Sequence, residues 1–151
     1  MTPTLAAIVW GIGLVAWVVI RIPHQRRARK IKVANDARTL TDRLALGAAT
    51  IGLSLIPIVY VATGFPAFAN YAFQPWLAWI GLIVEIAFLW LFYASHRQLG
   101  KNWSVSLEIR REHKLVTDGL YKYVRHPMYV SFWAWAIAQF CLLPNWFAGL
   151  A

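Results

Sequence analysis

Two short basic segments divide this chain into long apolar runs. All fifteen Lys and Arg residues fall within residues 21–43 and 96–126. The apolar runs cover about residues 4–20, 44–63, 76–94 and 127–143. At about 1.5 Å rise per residue, each run would form about 24–30 Å of helix, which is close to the thickness of a bilayer's hydrocarbon core. The pattern predicts an all-α integral membrane protein with about four transmembrane helices.

The composition of the chain favours the same class of protein. Hydrophobic residues make up 60% and charged residues 14% of the sequence, whereas soluble domains contain about 45–50% and about 25%. The net charge is +9, but membrane orientation accounts for both basic clusters, so no nucleic-acid partner is expected. A single cysteine, Cys141, excludes a disulfide framework and a cysteine-rich zinc site. No metal site is predicted.

The positions of the charges also predict which way the helices run. Cytoplasmic loops of membrane proteins carry an excess of Lys and Arg. Segments 21–43 and 96–126 are therefore expected on the cytoplasmic side. The loop 64–75 and the N-terminal tip contain no Lys or Arg, and we expect them on the outer side.

The end of the sequence predicts a further helix. Pro144 and Asn145 form a turn signal after the fourth apolar run, and a new apolar stretch begins at Trp146. Six residues cannot cross a bilayer, because about 20 are needed. We therefore expect residues 1–151 to be one membrane-embedded domain that is incomplete at its C-terminus and contains the start of a fifth helix.

Small residues spaced four apart predict where helices approach closely. Ala7 with Gly11, and Ala48 with Gly52, have the spacing that allows close packing in lipid. Both pairs are expected to lie at helix interfaces.

Glu85 is the one acidic residue predicted at membrane depth. A charged carboxylate exposed to lipid costs several kcal/mol, so this side chain should be protonated or face the interior of the bundle. Two interpretations remain open at this point. Glu85 could form an interhelical hydrogen bond, for example to Ser54 or Tyr60, or it could be a polar group in a cavity for a lipid substrate.

The second basic segment predicts a small folded cap between the third and fourth helices. Val105, Leu107 and Ile109 alternate with polar residues, and this period of two is typical of a strand. Residues 114–116 would form a return strand, and residues 117–119 a turn.

The tripeptide Arg125-His126-Pro127 predicts the start of the fourth helix. Proline disfavours helical backbone in the residue before it and suits the first helical position. The N-terminus of the helix would then present unpaired N–H groups beside a guanidinium and an imidazole, which favours an anion. Contact with lipid phosphate is the simpler alternative. Aromatic groups that could line a ligand pocket at this point are Tyr121, Tyr123 and Tyr129.

Residues 119–129, GLYKYVRHPMY, resemble a known signature. It is the Gly-x-Tyr-x-x-x-Arg-His-Pro-x-Tyr pattern of the isoprenylcysteine carboxyl methyltransferase family and its phospholipid methyltransferase relatives. Residues 99–104 and 114–119 are also similar to that family. The resemblance implies an enzyme that uses S-adenosylmethionine at the cytoplasmic membrane face, with a lipophilic acceptor that enters from the bilayer.

The resemblance also implies a cofactor site. The residues that it places beside the cofactor are Val116, Gly119, Tyr121, His126 and Pro127, with Arg125 and Tyr129 shaping or supporting the same site. The family's pattern continues with paired glutamates, a Phe-Gly-x-x-Tyr stretch and a late arginine, which this sequence does not contain. We expect the catalytic polar groups largely in that downstream part.

Several functions share this signature. The acceptor would be a carboxylate such as that of isoprenylcysteine, which is ionised near neutral pH and needs no general base. Phospholipid N-methylation is an alternative, and its ammonium acceptor would need a base such as His126. A non-catalytic protein that binds anionic lipid is a second alternative, and a membrane reductase is a more distant one. The sequence leaves the acceptor and the oligomeric state open.

Overall fold

The computed structural model describes residues 1–29, 35–36, 39–100, 108–109 and 118–150. The helices in this part of the chain are α1 (Pro3–Arg29), α2 (Leu40–Thr50), α3 (Ile56–Thr63), α4 (Pro75–Leu99), α5 (Leu120–Tyr123), α6 (Pro127–Leu142) and α7 (Trp146–Leu150). Two short strands are β1 (Asn35–Asp36) and β2 (Glu108–Ile109). The prediction of an all-α membrane protein is confirmed.

Three helices are long and apolar enough to cross a membrane within the described ranges. They cover Pro3–Arg27, Leu40–Thr63 and Pro75–Leu99. The fourth predicted span is α6, which has 16 residues and is therefore about 24 Å long. Its crossing of the bilayer stays a prediction. The short helix α7 begins at Trp146, where the sequence predicted the start of a further helix.

The second span is a continuous helix with a wider turn in its middle. Residues Ile51–Leu55 form a π-helical turn between α2 and α3. Pro57 lies two residues after the end of this turn and has no N–H group to donate to it. Because its ring also crowds that turn, the helix widens locally, which is one of the usual causes of such irregularities.

Contacts at both ends of the bundle show that successive long helices alternate in direction. The C-terminal ends of α1 and α4 lie together, with 5.0 Å between the ring centroids of His24 and His96. At the opposite end, the side-chain amide of Asn145 donates hydrogen bonds to the carbonyl of Pro66 and to Oδ1 of Asn70, both at 2.8 Å. The two basic segments therefore lie at one end, and the 64–75 loop lies at the other.

The two basic segments also pair directly. β1 and β2 are antiparallel, with Asn35 opposite Ile109 and Asp36 opposite Glu108. The described part of the predicted 105–109 strand is thus a strand, and its partner comes from the first basic segment. Residues 105–107 and the predicted return strand 114–116 lie outside the described residues.

The core is built mainly from α4 and α6, with α1 packed against both. Small residues allow α4 and α6 to approach closely: a Cβ atom added to Gly81 would lie 2.9 Å from Cβ of Cys141. Aromatic rings fill the space nearer the basic end. Trp135 lies 4.8 Å from Phe88 and 5.0 Å from Trp17 between ring centroids.

The predicted small-residue pairs do not mark the close contacts. A Cβ atom added to Gly11 would meet nothing within 4 Å, and neither α2 nor the π turn contains a buried residue. Ala7 does pack against the buried core, but Gly11 makes no close contact. The prediction for Ala48 and Gly52 is wrong because the 40–63 helix packs little against the rest of the described bundle. On α1 the close approach is at Gly13, two residues after Gly11.

Gly13 makes room for Glu85. This glutamate is 2% exposed, and a Cβ atom added to Gly13 would lie 2.6 Å from its Cδ atom. Neither carboxyl oxygen has a hydrogen-bond partner in the described part of the chain, so the predicted bond to Ser54 or Tyr60 is wrong. The physical reason is that α4 packs on α1 and α6, and Glu85 faces α1.

Candidate functional site

The approach to α6 is fixed by a tight turn at Gly119. This residue has φ of 61° and ψ of −125°, a conformation that only glycine adopts readily. The next N–H group, that of Leu120, donates a hydrogen bond of 3.0 Å to Oε1 of Gln98 at the end of α4. Gln98 thus holds the start of α5 against the end of the third span. Sequence reasoning missed Gln98; its only signal was a polar side chain one residue before the end of an apolar helix.

The start of α6 follows the backbone rules that predicted it. His126 precedes the helix with φ of −133° and ψ of 67°, and Pro127 occupies the first turn. The carbonyl of His126 accepts hydrogen bonds from the N–H groups of Tyr129 and Val130, at 3.0 and 3.2 Å. Pro127 is buried, which anchors the turn in the bundle while the residue before it stays at the surface.

The polar groups at this helix start are accessible. Arg125 and His126 are exposed, and Tyr129 is 66% exposed. The rings of His126 and Tyr129 lie 5.4 Å apart with a 40° angle between their planes. An exposed guanidinium and an imidazole beside a helix N-terminus can together accept an anion, and the paired rings offer a flat surface to a planar or cationic group.

The structure brings together only some of the predicted site residues. Tyr121 is half-buried on α5, and burial raises the pKa of its phenol. Gly119 lies on the same turn, but its Cα faces Gln98: an added Cβ would lie 2.8 Å from that side chain's Cδ atom. Tyr123 is 82% exposed and carries Lys122 Nζ at 5.9 Å from its ring centroid. Val116 lies outside the described residues.

A second polar group lies beside this region, at the ends of α1 and α4. His96 is fully buried, and its Nδ1 lies 2.9 Å from the carbonyl of Phe92. Its ring faces that of His24. Sequence reasoning missed this pair because it joins residues more than seventy positions apart. Within the described ranges, no three His, Cys, Asp or Glu side chains are placed to hold a metal ion.

The second half of the chain is similar to a known family. Residues 77–150 match the family model described as the isoprenylcysteine carboxyl methyltransferase (ICMT) family. Residues 77–150 are thus similar to the isoprenylcysteine carboxyl methyltransferase family. This segment begins on α4 and contains α5, α6 and α7, so the Gly119 turn and the His126–Pro127 junction both lie within the matched part.

Individual relatives carry the same name. The chain is 46% identical over 55 residues to protein-S-isoprenylcysteine O-methyltransferase of Schizosaccharomyces pombe, an alignment that covers 35% of this chain and 23% of the relative. It is 30% identical over 83 residues to that of Dictyostelium discoideum, covering 54% and 33%. It is 33% identical over 78 residues to protein-S-isoprenylcysteine O-methyltransferase B of Arabidopsis thaliana, covering 50% and 40%. The chain thus spans between about a quarter and two fifths of these relatives' lengths.

Proposed function

We propose that this chain transfers a methyl group from S-adenosylmethionine to the carboxylate of a lipid-linked acceptor such as isoprenylcysteine. The observation that carries the proposal is the junction between α5 and α6. It lies inside residues 77–150, which match the ICMT family model, and it exposes Arg125, His126 and Tyr129 together at a helix start. The proposal extends to the whole protein the activity for which its relatives are named.

The groups at this junction fit the chemistry of the methyl donor. S-adenosylmethionine supplies an electrophilic methyl group bound to a sulfonium, together with a carboxylate and a planar base. The exposed Arg125 guanidinium and the N–H groups that open α6 suit the carboxylate. The rings of His126 and Tyr129, 5.4 Å apart, suit the planar or the cationic part. Tyr121 would line the site from α5. Gly119 and Pro127 would fix the backbone conformation on either side of the site.

The proposed acceptor makes few demands on acid–base catalysis. A carboxylate is ionised near neutral pH, so its oxygen can attack the methyl carbon without first losing a proton. The carbon–sulfur bond breaks as the oxygen–carbon bond forms, and the electron pair stays on sulfur. The residues of this chain would then act by aligning the two partners and excluding water. His126 would bind and orient the methyl donor, and it would not need to act as a base.

The orientation of the site follows from the charges and the alternating helices. The α5–α6 junction lies at the same end of the bundle as the two basic segments, which pair through β1 and β2. Basic segments remain on the cytoplasmic side of membranes. These observations support a site that faces the cytoplasm, where S-adenosylmethionine would reach it from water and the acceptor from the lipid.

The test is transfer of a labelled methyl group by the whole purified protein in lipid nanodiscs. One set of reactions receives a farnesylated cysteine with a free carboxylate, and another receives phosphatidylethanolamine. The proposal predicts base-labile methyl ester on the first acceptor only, with loss of at least about tenfold in rate for His126→Ala. Lys122→Gln, an exposed neighbour on α5, should keep the rate of the unaltered chain.

Other outcomes of this experiment would overturn the proposal. Label on phosphatidylethanolamine alone would identify an N-methyltransferase. A folded protein that contains both residues 1–151 and the catalytic polar groups expected downstream, and that methylates neither acceptor, would refute the proposed activity. Equal rates for His126→Ala and Lys122→Gln would remove the α5–α6 junction from the site.

A further inference from the structure

A separate cleft lies between α1 and the middle of the 40–63 helix. It encloses about 270 Å³. The residues that line it are Trp17, Val18, Arg21, Ile22, Gln25 and Thr50. The cleft has no residue in common with the α5–α6 junction.

One wall of the cleft carries an uncompensated positive charge. The guanidinium carbon of Arg21 lies 5.1 Å from the ring centroid of Trp17, and the side chain is half-buried. No carboxylate pairs with it among the residues that the structure describes. A partly desolvated cation without a counter-ion is unfavourable, and an anion that entered the cleft would relieve this cost.

Gln25 supplies a second hydrogen-bond donor. It follows Arg21 by four residues and therefore lies on the same face of α1. Its amide makes no hydrogen bond with the described part of the chain. Thr50, on the opposite wall, uses its hydroxyl to donate to the carbonyl of Leu46 at 2.8 Å. The donors available to a bound anion, Arg21 and Gln25, thus both lie on the α1 side of the cleft.

The depth of Arg21 in the membrane matches the level of lipid headgroups. Arg21 lies eighteen residues after the start of α1 at Pro3, which is about 27 Å along the helix axis. This length is close to the thickness of the hydrocarbon core, about 30 Å. The guanidinium should therefore lie near the boundary between acyl chains and headgroups, on the side of the basic segments.

The remaining surface of the cleft is apolar and open towards lipid. Val18 and Ile22 are 39% and 38% exposed, and they lie on α1 beside Arg21. The facing helix α2 has no buried residue, so packing within the described protein does not seal this side. The cleft thus offers an anion-binding end and an apolar flank to a molecule that approaches within the bilayer.

We propose that this cleft binds an anionic phospholipid, with the phosphate on Arg21 and Gln25 and an acyl chain along Val18 and Ile22. The bound lipid would fill the space between α1 and the loosely packed 40–63 helix. The proposal concerns a structural lipid and does not depend on methyl transfer. Free phosphate has the same anionic chemistry, and the experiment separates the two.

The experiment measures phosphatidylglycerol binding to the intact chain in phosphatidylcholine nanodiscs. Dibrominated phosphatidylglycerol quenches the fluorescence of nearby tryptophan side chains. A Trp17→Phe variant identifies the part of this quenching that arises at the cleft. We expect Arg21→Gln to weaken binding about fivefold, as loss of one lipid-facing charge does. Arg21→Lys should keep most of the binding.

A neighbouring charge gives the matched control. Arg26 is exposed on the same helix and does not line the cleft. At about 0.5 M salt the Debye length is about 4 Å, so diffuse surface attraction is screened while a partly buried pair is screened less. Under this condition Arg26→Gln should change binding less than about twofold, whereas the loss for Arg21→Gln should persist.

A second variant guards against misfolding of Arg21→Gln. Thr50 is exposed on the opposite wall, so Thr50→Phe should fold, fill the cleft and abolish the Trp17 signal while Arg21 is retained. Equal effects of the Arg21 and Arg26 variants would overturn the proposal. Inorganic phosphate that bound with the same dependence on Arg21, with no advantage for phosphatidylglycerol, would also overturn it.

Discussion

Replacing Gly13 with alanine should destabilise the contact between α1 and α4. A Cβ atom at this position would lie 2.6 Å from Cδ of Glu85 and 3.1 Å from its Cγ atom. Glu85 is 2% exposed, so its side chain cannot swing into open space to make room. Either Glu85 must leave its rotamer or α1 must shift away from α4.

The size of the effect follows from two opposing contributions. Overpacking a close-packed interior costs typically about 1–3 kcal/mol. Alanine in place of glycine within a helix gains about 1 kcal/mol. Gly11→Ala is the matched control, because an added Cβ there meets nothing within 4 Å. The two variants should therefore differ by about 1–3 kcal/mol, which corresponds to about 2–12 °C in melting temperature for a chain of this size.

The assay is thermal unfolding in nanodiscs, followed by tryptophan fluorescence. Gly11→Ala should melt at or above the temperature of the unaltered chain, and Gly13→Ala should melt below Gly11→Ala. When Glu85→Ala is present in the background, Gly13→Ala should no longer destabilise, because the obstructing side chain is gone. Equal melting temperatures for Gly11→Ala and Gly13→Ala would refute the packing argument.

Three further predictions concern the Gly119 turn, the end of the bundle at Asn145 and a loop tyrosine. Gly119→Ala should cost about 1–3 kcal/mol in unfolding free energy, measured by denaturant titration, because its positive φ is strained for alanine and the added Cβ meets Gln98. Asn145→Ala should lower the free energy of unfolding by about 1–3 kcal/mol, because it removes the cap of α7 and leaves the Pro66 carbonyl without its donor. Amide hydrogen exchange should become faster at residues 147 and 148. Burial, with smaller contributions from Cys141 and Tyr60, raises the pKa of Tyr71 to about 12, so stability should be intact below about pH 10 and fall as the pH rises through 12.

Each of these predictions has a control. Gln98→Ala in the Gly119→Ala background should recover only the part of the unfolding free energy that is lost to the clash with Gln98. Full recovery would show that the positive φ of residue 119 costs nothing, which contradicts the prediction. Asn145→Asp keeps the acceptor that caps α7, so exchange at residues 147 and 148 should stay slow. Tyr71→Phe should abolish the fall in stability that this residue causes between pH 10 and 12. If the dependence of stability on pH in this range is unchanged in Tyr71→Phe, the assigned pKa is contradicted.

Local rules predicted local features well. His126 and Pro127 determine the start of α6 because proline acts on its own backbone and on the residue before it. The turn at 144–145 and the helix at Trp146 follow from the same kind of signal. The positions of the long helices were predictable because apolar runs of membrane length have few alternatives to a helix.

Long-range contacts could not be derived in the same way. Gly11 and Gly13 differ in sequence by two positions, yet only Gly13 faces Glu85. Which of them faces α4 depends on the rotation of α1, which a near-uniform apolar helix does not encode locally. The same limit explains why Gln98 was missed: its role arises only once the chain returns to place Leu120 beside it.

The most direct test of the account is the dissociation constant of S-adenosylmethionine for the purified chain, measured by equilibrium dialysis in nanodiscs. The account predicts saturable binding that His126→Ala weakens at least about tenfold and Lys122→Gln leaves within about twofold. Absence of binding to the folded chain, or equal dissociation constants for the two variants, would contradict a cofactor site at the α5–α6 junction.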